Sequence, residues 1–355
     1  MNTPTGSDSI RVHGTALRQW ALKIFAHMGV PGDDAALASD ALVNANMRGV
    51  DTHGVMWLPI YVQRLRSGLV NPRPQIRVTR NRAMVIGVDG DSGLGIVVAA
   101  RAMQETILTA KEFGLAATTV RNSNHFGAAG YFARMATSQK MIGIAMSNAG
   151  PAMAPWNSVT PYLGTNPLAF AAPGGIEGGI VLDMATSQVA GSRVLLAMRA
   201  GLEIPPGWAT DLRGRPTRDA RVAWEGLMMP LGGYKGYGLA LMVEILCGIM
   251  SGSSFGPHLY DSTRGAYVAH DIGHFFLAIE IEAFMPLAVF QKRLEQCVDE
   301  IRACSPLEGT GSVYVPGDIE AASEILRAEE GIPIPGYLLH ELRKLGTEVG
   351  ECFPL

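Results

Sequence analysis

The stretch Ala83-Met84-Val85-Ile86-Gly87-Val88-Asp89-Gly90-Asp91-Ser92-Gly93-Leu94-Gly95 joins a strand pattern at Ala83–Val88 to the start of a helix. A dinucleotide-binding unit of the ordinary kind carries G-x-G-x-x-G at such a junction. Gly93-x-Gly95 lacks the third glycine, so this βα pattern does not spell a Rossmann site. P-loop and H-E-x-x-H patterns are also missing.

Outward from this junction, β-branched runs at Leu115–Val120, Met141–Met146, Pro167–Ala172 and Ile180–Met184 alternate with helical stretches. The helical stretches lie near Ile96–Phe113, Ala128–Gln139 and Val189–Met198. Such alternation argues an α/β sheet domain. Leu202–Met229 reads as irregular, followed by an apolar helix from Lys235, a strand at His274–Ile281 and a helix at Leu287–Ala303. Three helical patterns fill the first seventy residues, and two short ones near Ala321–Glu330 and Tyr337–Leu345 end the chain. The expected arrangement is a helical domain at 1–75, completed by 310–355, flanking an α/β domain at 76–309.

The 355 residues carry 29 Lys and Arg against 32 Asp and Glu, which gives no long-range pull toward nucleic acid or anionic lipid. The most apolar helix candidate, Gly238–Met250, is shorter than the roughly 20 residues a membrane span requires. No basic and then apolar leader is readable at the amino terminus. Four cysteines form no C-x-x-C pair and read as reduced thiols of a cytoplasmic protein, with no metal site expected. The 42 glycines exceed the roughly 25 of average usage, which signals many close backbone approaches.

Several polar residues stand where chemistry gathers. His53 sits in the loop Arg48-Gly49-Val50-Asp51-Thr52-His53-Gly54, as a general acid or base or as a structural cap. His125 lies in Asn122-Ser123-Asn124-His125-Phe126-Gly127, between a strand end and a helix start, the edge where open sheets collect ligands. Thr165 opens one strand and Asp183-Met184-Ala185 closes another, where a carboxylate can orient an imidazole, grip a ribose or cap a helix. Lys235 stands among glycines in Gly232-Gly233-Tyr234-Lys235-Gly236-Tyr237-Gly238, a setting for phosphate or ribose contact or for an ordinary solvated helix end.

His53-Gly54, SNHFGAAGY, GTNPLAFAAPG, LDMATS, PLGGYKGYGLALMVEIL, IGHFF and VPGD follow one another in an order that resembles the type 2 malate/L-lactate dehydrogenase family. That family includes ureidoglycolate dehydrogenase, diketogulonate reductase, sulfolactate dehydrogenase and Δ1-piperideine-2-carboxylate reductase. The resemblance runs from Leu17 to about Leu345. It implies an NAD- or NADP-dependent oxidoreductase with a non-Rossmann sheet domain, a homodimer, and a small-molecule substrate held between helical and sheet domains. By position it makes His53 the proton donor to the carbonyl oxygen, Asp183 its orienting partner and His125 a second acid/base histidine. Thr52 replaces the serine that often precedes the first histidine. Tyr61 and Thr165 fall at substrate contacts, and Ser147, Asp183, Met184, Ala185, Lys235, Gly317 and Asp318 at nucleotide contacts.

One departure bears on substrate. Many members carry arginine four residues after the histidine, where this chain reads His53-Gly54-Val55-Met56-Trp57. Indole cannot replace a charge-assisted arginine–carboxylate fork. Either Arg48 or Arg64 supplies the charge, or the substrate is bulkier or less anionic than malate. The leading reading is a 2-hydroxy-acid oxidoreductase. A cyclic ketimine reductase on the same scaffold and a catalytically silent binding protein are its alternatives.

Overall fold

The computed structural model describes residues 9–174, 179–259 and 269–354. Strand β1 (Ile10–Val12) leads into α1 (Gly14–His27), α2 (Gly32–Met47) and α3 (Leu58–Arg66). Next come β2 (Arg77–Arg82), β3 (Val85–Asp89), α4 (Gly95–Phe113), β4 (Leu115–Ser123), α5 (Ala129–Thr137) and β5 (Met141–Ser147). Strands β6 (Leu168–Ala172) and β7 (Ile180–Met184) precede α6 (Gly191–Arg199), β8 (Ala209–Thr210), α7 (Ala220–Glu225) and β9 (Leu227–Met228). Then follow α8 (Tyr234–Glu244), β10 (Ile272–Glu280), α9 (Leu287–Arg302), α10 (Asp318–Glu330), β11 (Ile332–Ile334) and α11 (Gly336–Val349).

The central sheet has seven strands in the order β2-β3-β4-β10-β5-β6-β7. Only β3 and β4 pair in parallel; the other neighbours are antiparallel. The crossover through α5 leaves β4 and β5 pointing the same way with a gap between them, and β10 fills it antiparallel to both. This is an α/β chain around a mostly antiparallel sheet. Small side chains let α4 lie flat on it: Ala99, Ala100 and Ala102 are fully buried beside Ile96 and Met103. One apolar core spans α1–α3, α4, α5 and the sheet, so the helical ends and the sheet share it.

The two ends meet. Ile10 pairs with Ile334 and Val12 with Ile332, and the Trp20 ring meets Phe353 edge-on at 5.0 Å. Strands β1 and β11 are too short to show period-two alternation, and β2 is exposed along its whole length with no apolar face, so none announces itself in the sequence. Leu202–Met229 is less irregular than its composition suggests. Asp219 caps α7 by accepting from the N–H groups of Arg221 and Val222 at 2.8 and 3.1 Å, and β8 pairs with β9. Among the described residues no helix is long and apolar enough to cross a membrane.

Candidate active site

The loop that carries His53 is built by one buried asparagine. Asn46, near the end of α2, donates through Nδ2 to Asp51 Oδ1 at 2.6 Å and accepts the Val55 N–H at 2.8 Å. Its amide leaves no room at Gly54, where an added Cβ would fall 2.2 Å from Asn46 Oδ1. The chain therefore makes two tight 3₁₀ turns, Asp51–His53 and Val55–Trp57, before α3 begins. Thr52 Oγ lies 3.0 Å from His53 Nδ1, and the Trp57 indole N–H donates to the Thr52 carbonyl at 2.8 Å.

His125 follows β4 and meets this loop from the sheet side. Its Nδ1 is 2.7 Å from the Tyr61 hydroxyl. The Trp57 ring stacks on it at 4.0 Å, and the His53 ring lies near parallel to it at 5.9 Å. Trp57 also packs beside Tyr61 at 6.1 Å, so it belongs to the cluster and to its own helix at once. Burial pushes His53 down to about 4 and His125 well below the usual histidine value. Both rings are neutral at pH 7. Burial pushes the Tyr61 phenol up, so it keeps its proton.

Asp183 closes β7 and accepts the Gly130 N–H, in the first turn of α5, at 2.8 Å. That contact requires glycine, because a Cβ there would sit 2.9 Å from Asp183 Oδ2. The carboxyl is raised to about 6, by desolvation first and by the Glu320 charge, against the Gly130 N–H and Arg48. Its surface is nevertheless open to solvent. A group crowded by protein yet reachable by water lines a cleft, and that water tempers the shift. The expected orienting contact from Asp183 to His53 is absent: Thr52 makes it instead.

The other expected residues divide. Lys235 is exposed in the first turn of α8, behind Gly232 and Gly233 at φ +58° and +69°. Gly317, at φ +104°, packs against Val181 on the strand that ends in Asp183, Met184 and Ala185, and Asp318 opens α10 with its carboxylate on Arg302 at 2.7 Å. Thr165 is half-buried, and its carbonyl accepts the Thr186 N–H at 2.9 Å. Ser147 is buried with its hydroxyl engaged: it donates to the Asn148 carbonyl at 2.9 Å and meets His274 Nδ1 at 2.9 Å. The other nitrogen of His274 contacts Ser123 Oγ, also at 2.9 Å.

Arg48 is buried on Glu324 at 2.8 Å, whereas Arg64 lies 3.2 Å from both His270 Nε2 and Asn124 Oδ1 and its charge acts on Tyr61 and His125. The contributions of Arg64's partners, of His274 and of Arg327, which donates to the Asn46 carbonyl, are not visible in spacing, because they depend on pairings across 60 to 281 positions. Among the described residues no three His, Cys, Asp or Glu side chains are arranged to hold a metal ion.

The chain is 39% identical over 350 residues to a malate dehydrogenase of Pyrococcus horikoshii, covering 96% of each. The solved structure of malate dehydrogenase from that organism superposes with a TM-score of 0.89, covering 98% of this chain and 97% of the other, at 36% identity. A (2R)-3-sulfolactate dehydrogenase (NADP(+)) of Chromohalobacter salexigens is 37% identical, over 92% of this chain and 89% of its own. A ureidoglycolate dehydrogenase (NAD(+)) of Escherichia coli O157:H7 is 31% identical, over 92% and 93%. The family profile described as malate/L-lactate dehydrogenase matches residues 12–343, and the chain belongs to that family.

Proposed function

We propose that this protein is an NAD- or NADP-dependent oxidoreductase that moves a hydride between the nicotinamide and C2 of a 2-hydroxy or 2-oxo acid. The observation that carries the reading is His53: neutral, anchored at Nδ1 by Thr52, and stacked toward a second neutral histidine. In oxidation its free Nε2 accepts the hydroxyl proton of the substrate; in reduction the same nitrogen returns it. A low pKa makes the imidazolium a strong proton donor, and an anionic acid bound alongside raises that pKa back toward the ordinary histidine value. His125, oriented by Tyr61 and Trp57, holds the substrate oxygen. Thr165 and either Arg64 or Arg48 take the carboxylate, with Arg48 already committed to Glu324.

The donor set fits a dinucleotide without a glycine fingerprint. The Lys235 side chain and the N–H groups of Tyr234 and Lys235 at the start of α8 suit a phosphate, while the Gly236 N–H is given to the Leu231 carbonyl. The open carboxylate of Asp183, with Met184 and Ala185, suits ribose hydroxyls, and Gly317-Asp318 adjoins the same strand. Bound there, NAD or NADP supplies or accepts the hydride, and the protein supplies orientation, a proton and exclusion of water. The sheet serves as a non-Rossmann nucleotide frame, with residues 1–75 and 310–355 as one lobe and 76–309 as the other. A homodimer is supported by Leu241, Ile245 and Ile249, apolar, exposed and four residues apart along α8 and its continuation.

A panel of 2-oxo acids, each assayed with NADH and NADPH by absorbance loss, tests the reading. Consumption of either cofactor with an oxo acid alone supports it. Consumption only with an oxo acid plus amine transfers the assignment to imine reduction, and none with either overturns it.

A further inference from the structure

We propose that Arg327 is a positioning residue for His53, acting through a fork on Asp51, the first residue of the turn that ends in His53. The proposal rests on the reading of His53 as the acid/base group.

Arg327 donates from Nη1 to Asp51 Oδ1 at 2.6 Å and from Nη2 to Oδ2 at 2.9 Å, and Nη1 also reaches the Asn46 carbonyl. Asn46 Nδ2 adds a third donor to Asp51. Both charged side chains are mostly withdrawn from solvent, at 13% and 20% exposure, so the pair is held in one geometry. The element it holds is weak on its own. A single 3₁₀ turn fixes several dihedrals for very few hydrogen bonds and needs outside support. Asp51, Thr52 and His53 are that turn. Fixing its first side chain fixes where the third one stands.

Helix α10 is attached in an unusual manner that points the same way. None of its side chains is buried. Its inward contacts are polar and spaced by three or four: Glu320, whose charge acts on Asp183; Glu324 on Arg48 at 2.8 Å; and Arg327 on Asp51. Between them Ser323 abuts Gly49, where a Cβ would lie 3.0 Å from its hydroxyl. Apolar packing would tolerate small slips of the helix, whereas a bidentate guanidinium–carboxylate fork does not. The helix starts beside the cofactor-side residues Gly317 and Asp318 and delivers its arginine to the proton-transfer loop.

The test compares Arg327→Gln, Arg327→Lys and Asp51→Asn, alone and in a His53→Ala background. The readouts are kcat and KM for 2-oxo acid reduction, NADH and NADPH affinity by fluorescence, and Tm. Arg327→Gln is expected to lower kcat 10- to 100-fold with cofactor affinity within about twofold of wild type, since misplacement of a reacting group by about 1 Å costs on that order. Lysine keeps the charge without the fork and should fall between. Added to His53→Ala, Arg327→Gln should change residual kcat by less than about twofold, because no imidazole is left to position. A purely structural arginine would lower Tm and depress both backgrounds alike, and that result overturns the proposal. If Arg327→Gln does not fold, the near-isosteric Asp51→Asn reads the same fork, with the same expectations. An inactive His53→Ala beside a fully active Arg327→Gln and Asp51→Asn removes this proposal alone; an active His53→Ala removes the acid/base reading and the proposal with it.

Discussion

The phenol oxygen of Tyr61 lies 2.7 Å from Nδ1 of His125, across 64 positions of sequence. Tyr61 is buried and keeps its proton, and His125 is neutral, so one proton serves the contact and the ring's tautomer is set by it. Tyr61→Phe keeps the shape and deletes the bond. A buried nitrogen left without its partner costs about 1–3 kcal/mol. We expect kcat/KM to fall about tenfold with little change in cofactor affinity, checked by steady-state kinetics. Unchanged kcat/KM would assign His125 to packing alone.

His53→Ala and Lys235→Ala should fail in opposite ways. A positioned acid/base group contributes about 10²- to 10⁴-fold, so His53→Ala is expected to lower kcat at least a hundredfold with cofactor binding nearly intact. Lys235 is exposed at a helix start, and its loss should weaken cofactor binding first. Fluorescence titration alongside kinetics separates the two, and the reverse pattern would exchange their roles.

Trp57 covers one face of His125 at 4.0 Å and is anchored to the Thr52 carbonyl at 2.8 Å. An indole in that position buries apolar area and offers no charge to a second carboxylate. Trp57→Arg should shift kcat/KM toward oxaloacetate over phenylpyruvate by about ten- to a hundredfold, the worth of one charge-assisted bond. A wild-type enzyme that already prefers oxaloacetate would show that another side chain holds the second carboxylate.

Acid should loosen the fold before it would loosen an ordinary one. Burial lowers His53 to about 4, His270 and His274 to about 3, and His125 in the same direction. The unfolded chain takes up those protons near pH 6.5, the native state only well below it. Between these limits the unfolded state binds more protons, so stability drops as pH falls, by up to about 1.4 kcal/mol per pH unit for each histidine. Asp183, raised to about 6, works the other way, since its contribution is present in acid and lost as pH rises through about 6. Four rings outweigh one partly open carboxyl. Tm should fall by about 5 °C between pH 7.5 and 5.5, and a flat Tm would mean that water reaches these rings.

What the sequence makes legible follows the reach of each signal. Ile180–Met184 is readable to the residue and Leu287–Ala303 to within one, because apolar periodicity is local. Strand β10 is readable as a strand but not as the one between β4 and β5, since order in a sheet depends on partners more than a hundred residues away. His53 and His125 stand out as glycine-flanked polar residues; the stacking of His53 and Trp57 on His125 does not, because spacing carries no distance across elements. Thr52 on His53, one position away, is the contact that sequence adjacency could have suggested in place of Asp183.

The pairing of Ile10–Val12 with Ile332–Ile334 has a consequence for biosynthesis. The first strand leaves the ribosome with no partner and must wait while some three hundred residues are added. Arg327 emerges just before that partner, so the turn carrying His53 stays without its fork until 276 residues beyond Asp51 have been added. A nascent chain that has already built its sheet would still lack the arginine that grips the first residue of that turn until α10 has been made.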